Sequence, residues 1–212
     1  MARHFEEDFK FVSRLRPEAT SEDIYAACRD GDEMFCKEWC MSPDHDLNIT
    51  DQHGFTPMHY ATMHGNTGII DVFVNRGARV DIVNMGGDTL LHIAAAYGKY
   101  DIVQKLLKMR ADVDCANEHG NTSLHYASFW NFIGICEILV KHGALVAMSN
   151  KYGDTPLSKA RPRLRKKLEA MASELGQSLV IVPHKSESIF LYLHHYALPL
   201  FFSRRDKLGK KE

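Results

Sequence analysis

The sequence has no surplus of either charge: 26 Lys and Arg stand against 27 Asp and Glu, a formal net charge of -1. Whole-chain attraction to nucleic acid or to an anionic membrane is therefore not expected. Long apolar runs are also missing. The longest apolar-aromatic stretch, Ile189 to Phe202, has 14 residues and contains Pro199; a membrane-spanning helix needs ~20. Cysteine is sparse and odd in number, with Cys28, Cys36, Cys40, Cys115 and Cys136 at spacings that form no framework. The N-terminus, Met-Ala-Arg-His-Phe-Glu-Glu-Asp, is charged and unlike a signal peptide. A reducing, cytoplasmic setting is expected. Catalytic signatures are absent as well: there is no G-x-x-x-x-G-K-[ST], no G-x-G-x-x-G after a strand, no H-E-x-x-H and no G-x-S-x-G. Neither an enzymatic activity nor a cofactor is expected. Cys36 and Cys40 share a helix face, yet no second Cys/His pair follows at ligand spacing, so they read as small core thiols and no metal site is expected.

What the sequence does have is a core's worth of apolar residues, 45% of 212, enough for one domain with tails. Residues 1–20 read as an N-terminal arm, 21–175 as the folded domain and 176–212 as a tail. Thr20 or Ser21 can cap a first helix. Two short apolar-periodic segments follow, Ile24 to Arg29 and Met34 to Met41, split by Asp30-Gly31-Asp32 into a helix-turn-helix pair. Charge is local: Lys159, Arg161, Arg163, Arg165, Lys166 and Lys167 fall in one stretch without an acid.

From residue 51 the chain repeats. Thr56-Pro57-Met58-His59, Thr89-Leu90-Leu91-His92, Thr122-Ser123-Leu124-His125 and Thr155-Pro156-Leu157-Ser158 each begin 33 residues after the last. Gly54, Gly87, Gly120 and Gly153 precede the threonines in the same phase, and Ala61, Ala94, Ala127 and Ala160 follow them. Period and motif together are those of the ankyrin repeat, which predicts an all-α solenoid of five repeats with hairpin loops and a concave binding groove. In each unit the Thr caps the first helix, Pro57 or Pro156 suits its first position, and the small Ala lets two helices approach. His59, His92 and His125 are expected to bond the capping Thr, a structural role. Gly77-Ala78 and Gly143-Ala144 end the second helices by a left-handed cap. Arg110 replaces that Gly in the third unit and is expected either to strain the cap or to bend it. Asn131 stands in for Gly at the end of a first helix.

Positions two, three, five, thirteen and fourteen of each unit build no core in this scheme. They place His53, Phe55, Met63, Met85, Tyr97, Phe129, Trp130 and Tyr152 along one groove, and exposed aromatic and Met side chains of this kind mark a protein-binding face. The competing reading has Phe129 and Trp130 folding back onto Phe132 to enlarge the core.

The wording of the groove resembles one family. Asp51-Gln-His-Gly-Phe-Thr-Pro-Met-His, Asn117-Glu-His-Gly-Asn, Leu124-His-Tyr-Ala-Ser-Phe-Trp and Asn150-Lys-Tyr-Gly are similar to strings in the N-terminal ankyrin domain of the integrin-linked kinase family. That resemblance runs from about Asp23 to Lys185. It implies a scaffold at cell-matrix adhesion sites whose concave face grips a LIM domain of the adaptor PINCH, with Asp51, His119, Phe129 and Trp130 as the matching groove residues; Tyr152 joins them by position. Zinc would belong to the partner. The family's kinase-like domain has no counterpart in this sequence, so binding to parvin or integrin tails is not expected. An ankyrin adaptor with a different protein ligand is the alternative.

Overall fold

The computed structural model describes residues 24–183. The arm over 1–20, the caps at Thr20 and Ser21, and the run from Ile189 to Phe202 lie outside the described residues. Within them the chain forms five helix pairs: α1 (Ile24–Asp30) with α2 (Glu33–Trp39), α3 (Pro57–His64) with α4 (Thr67–Asn75), α5 (Leu90–Ala96) with α6 (Tyr100–Lys108), α7 (Ser123–Phe129) with α8 (Ile133–Lys141), and α9 (Pro156–Lys159) with α10 (Pro162–Glu174). First helices stack in order, α1 on α3, α3 on α5, α5 on α7 and α7 on α9. Second helices stack beside them, α2 on α4, α6 on α8 and α8 on α10. The five-unit, all-helical architecture predicted from the period is the one observed.

Each helix is too short to be stable alone, so packing must hold it. Ala61, Ala94, Ala95 and Ala127 are fully buried where the helices of a unit meet. Ile69, Ile70, Ile102, Val103, Ile135 and Leu139 supply the buried face of the second helices. The fifth pair is atypical, because Ala160 leaves the helix in an extended conformation after four residues and Pro162 opens α10. Proline is accommodated there because a first-turn N–H has no intrahelical partner to lose.

The Thr–His motif does more than cap. Backbone N–H groups of Thr56, Thr89 and Thr122 donate to Nδ1 of His59, His92 and His125 at 3.0, 3.1 and 3.0 Å. Nδ1 is thus an acceptor, which leaves the proton on Nε2 of a neutral ring. That nitrogen donates to the next unit: His92 Nε2 to the Asn121 carbonyl at 2.9 Å and His125 Nε2 to the Asp154 carbonyl at 3.1 Å. His59 differs: its buried Nε2 faces the Asp88 backbone but completes no hydrogen bond to it. Burial holds all three imidazoles below their ordinary value, His59 and His125 down to about 4.

Arg110 keeps the left-handed conformation, φ 63°, instead of bending the cap. Ala111 N–H still reaches the Leu106 carbonyl at 3.0 Å, as Ala78 reaches Phe73 and Ala144 reaches Leu139. The cap geometry is therefore retained and the backbone carries the strain. Asn131, φ 60°, matches its expected role. Gly176 falls in phase with Gly77, Arg110 and Gly143, and Gln177 N–H reaches the Ala172 carbonyl at 2.8 Å. From there the chain runs beside the fifth unit, forming a parallel bridge between Met148 and Val182. The contacts of the repeat thus continue into the segment assigned to the tail.

Replacing Arg110 by Gly removes a side chain that disfavours this backbone and is expected to stabilise the protein by about 1 kcal/mol, read as a higher urea midpoint. Acid should act through the histidines. Unfolded His titrates near 6.5 and folded His59 and His125 near 4, so between these values the unfolded chain binds more protons. Stability present above pH 6.5 is lost as pH falls toward 4, on the order of 2 kcal/mol per ring by pH 5. Denaturant melts at pH 7 and pH 5 should show this loss, and His125→Gln should flatten it.

Candidate functional site

Four hairpins connect the units, and one side chain organises each. Asp51 Oδ1 accepts from the N–H groups of His53 and Phe55 at 2.8 and 2.9 Å. Asn84 does the same for Gly86 and Asp88, Asn117 for His119 and Asn121, and Asn150 for Tyr152 and Asp154, all at 2.9–3.0 Å. Asx side chains suit this task because they bond backbone two residues onward. Gly54 then turns at φ 78°, and an added Cβ there would sit 2.8 Å from the Met85 nitrogen. That approach is needed because the hairpins themselves pair: Met85, Glu118 and Lys151 donate to the carbonyls of His53, Gly86 and His119 at 3.0 Å each.

A second layer fixes their relative position. Asn117 Nδ2 donates to Asp88 Oδ1 at 2.8 Å and to the Tyr126 hydroxyl at 2.9 Å, and Asn150 Nδ2 donates to Asn121 Oδ1 at 2.8 Å. Tyr60 donates to the other carboxylate oxygen of Asp51 at 2.7 Å. Lys159 pairs with Asp154 at 2.7 Å. Sequence reasoning missed Tyr60 and Tyr126 as supports for the hairpins. The signal was available, since both stand at the tenth position of their units.

Position five is where the sequence reading fails. Phe55 is completely buried, packed edge-on against His59 with ring centroids 5.6 Å apart. Asp88 and Asn121 are likewise buried; in these three hairpins the position points back into the stack and cannot meet a partner directly. Met63 and Ala96 are buried too, so position thirteen is core in the second and third units. Asp51 is half-buried, its carboxylate oxygens engaged by the hairpin and Tyr60.

The remaining residues are accessible on the side that carries the hairpin tips and the ends of the first helices. Met85 is 62% exposed and Tyr152 53%; His53, Tyr97, His119, Phe129 and Trp130 are half-buried. Four of them form two pairs. His119 and Tyr152, from consecutive hairpins, stack with their ring planes 20° apart, and His119 Nδ1 lies 3.0 Å from the Tyr152 hydroxyl. Phe129 and Trp130 meet edge-to-face at 5.0 Å and 89°. Phe129 also packs against the core, and Phe132 lies beneath Gly98 of the preceding unit. The core-enlarging alternative thus holds for part of Phe129. Burial pushes the Tyr97 hydroxyl up to about 12, keeping it a neutral hydrogen-bonding group.

The basic stretch is partly used inside the fold. Besides the Lys159–Asp154 pair, Lys167 meets Glu137 at 2.5 Å, and Arg165 donates to the carbonyls of Leu157 and Ser158. Among the described residues no group of three His, Cys, Asp or Glu is placed to hold a metal ion, and no helix is long and apolar enough to cross a membrane.

Comparison with known proteins agrees with this geometry. A family profile of three ankyrin repeats matches residues 24–117, and a single ankyrin repeat matches 119–151. The scaffold protein ILK of Homo sapiens is 44% identical over 65 residues, covering 31% of this chain and 14% of that protein. The integrin-linked protein kinase homolog pat-4 of Caenorhabditis elegans shows the same identity and coverage. ADP-ribosylation factor GTPase-activating protein AGD2 of Arabidopsis thaliana is 35% identical over 63 residues, 30% of this chain and 8% of its own length. The chain spans only a small part of each of these relatives. Five stacked helix pairs, four Asx-held hairpins and the matched repeats together make this protein a member of the ankyrin-repeat family.

Proposed function

We propose that the chain is a non-enzymatic interaction module that captures a LIM domain of the PINCH type at cytoplasmic cell-matrix adhesion sites, using the face lined by Met85, His119, Phe129, Trp130 and Tyr152. The observation that carries this reading is the pairing of four rings, His119 on Tyr152 and Phe129 on Trp130, above a rigid network of hairpin hydrogen bonds. Rings held in place before binding lose little freedom when a partner covers them, so more of the buried apolar area is available as affinity. The polar edges of His119 and Tyr152, with Met85 between neighbouring tips, set register on the partner's surface. His53 and Tyr97 extend the same face. Asp51 acts from behind it, shaping the second hairpin, and Phe55 serves the core. The local similarity to the scaffold protein ILK and to pat-4 supports the choice of partner; the same surface serves equally in the alternative reading, an ankyrin adaptor with another protein ligand.

Phe129→Ala with Trp130→Ala should weaken binding to a PINCH LIM domain by roughly 100-fold or more in calorimetry, with melting lowered by only a few degrees because Phe129 alone reaches the core. A wild-type chain that fails to bind the LIM domain would sink the choice of partner. A double variant that binds normally would move the site to another surface.

A further inference from the structure

The first unit holds a thiol pair that the binding face does not use. Cys28 on α1 and Cys36 on α2 are both fully buried, with their sulfurs 3.7 Å apart. The helices are already anchored around them: Asn66 Nδ2 donates to the Cys28 and Arg29 carbonyls at 2.8 and 3.1 Å, and the Asp32 side chain caps α2 through Phe35 N–H at 2.9 Å. A disulfide needs its sulfurs about 2.04 Å apart, so closing this pair requires the two sulfurs, now 3.7 Å apart, to approach further. We propose that Cys28 and Cys36 form an oxidisable dithiol, converted by a hydroperoxide into an intrachain disulfide that pins α1 to α2.

The chemistry balances without any other reactant. Cys36 thiolate attacks one oxygen of the hydroperoxide; a sulfur–oxygen bond forms, the oxygen–oxygen bond breaks, and the departing alkoxide or hydroxide takes a proton. Cys36 is then a sulfenic acid. Cys28 sulfur attacks it, the sulfur–sulfur bond forms, and hydroxide leaves with the Cys28 proton as water. Two thiols are oxidised by two electrons while the hydroperoxide is reduced to an alcohol, or to water, plus the second water. Cys36 is the favoured first nucleophile, since the hydrogen bond from Cys28 lowers its pKa, whereas burial pushes Cys40 and Cys136 up to about 11 and 12. Cys40 is also the wrong partner for Cys36. Four apart on one helical stretch, their Cβ atoms sit about 5–6 Å from each other, beyond disulfide reach. Access comes from position: among the described residues the first unit has a neighbour on one side only, and end units of a linear array open most readily.

The test uses the full chain, reduced, exposed to hydrogen peroxide without denaturant, then alkylated and measured by intact mass and peptide mapping. The expected product loses about 2 Da, joins the Cys28 and Cys36 peptides and reverts with a phosphine reductant. Cys28→Ser and Cys36→Ser should abolish it and Cys40→Ser should leave it intact, with Cys28→Ala as the substitute if Cys28→Ser does not fold. A crosslink through Cys40 or Cys115, a crosslink seen only in denaturant, or Cys36 advancing to sulfinic acid while Cys28 remains alkylatable would each overturn the proposal. So would an absence of crosslink at peroxide levels that oxidise Cys115. None of these outcomes bears on LIM-domain binding.

Discussion

A buried neutral imidazole ties the third unit of this protein to the fourth, and another ties the fourth to the fifth. In each, Nδ1 closes the start of its own helix and the Nε2 proton reaches across to a hairpin carbonyl of the following unit, so a single ring satisfies groups in two places at once. Apolar burial supplies the larger share of the cohesion, but it is non-directional. The imidazole bridge sets the distance and rotation between neighbours, and the Asx side chains do the same for the hairpins. With both in place the tips project at fixed intervals.

On the proposed recognition face a partner would meet a row of side chains whose backbone positions are set by buried polar bonds. Tyr60, Tyr126 and Lys159 occupy one position of three different units and brace hairpins in three different ways, through a carboxylate, an amide and an ion pair. The scaffold therefore tolerates different chemistry behind the tips while the tips keep their spacing. The proposed site draws on the few side chains that neither cap a helix nor bridge two units.

Much of this was legible in the sequence because a period is a physical statement: equal spacing of Thr, His, Gly and Ala requires the same local structure each time. The helix pairs, the caps, the left-handed Asn131 and the structural histidines were all readable on that basis. Two things were not. A hairpin residue passes from tip to stack within two positions, and sequence spacing alone did not show that Phe55 turns inward while His53 stays at the surface. The polar ladder was hidden for a related reason, as Asn117 and Asp88 are 29 residues apart and lie side by side only once the units stack. Trp130 and Met85 were recognisable as surplus to the core; the pairing of His119 with Tyr152 arises only when consecutive hairpins stack.

Gly176 and Gln177 repeat, beyond the last complete helix pair, the bonds that close the earlier second helices, and Leu179, Val180 and Ile181 are exposed beyond them. A stack built by one translation and one rotation resembles the growing face of a crystal: every finished layer is the template for another. The fifth layer departs from that template in its four-residue α9 and proline-opened α10, and the aliphatic side chains that follow it face outward among the described residues.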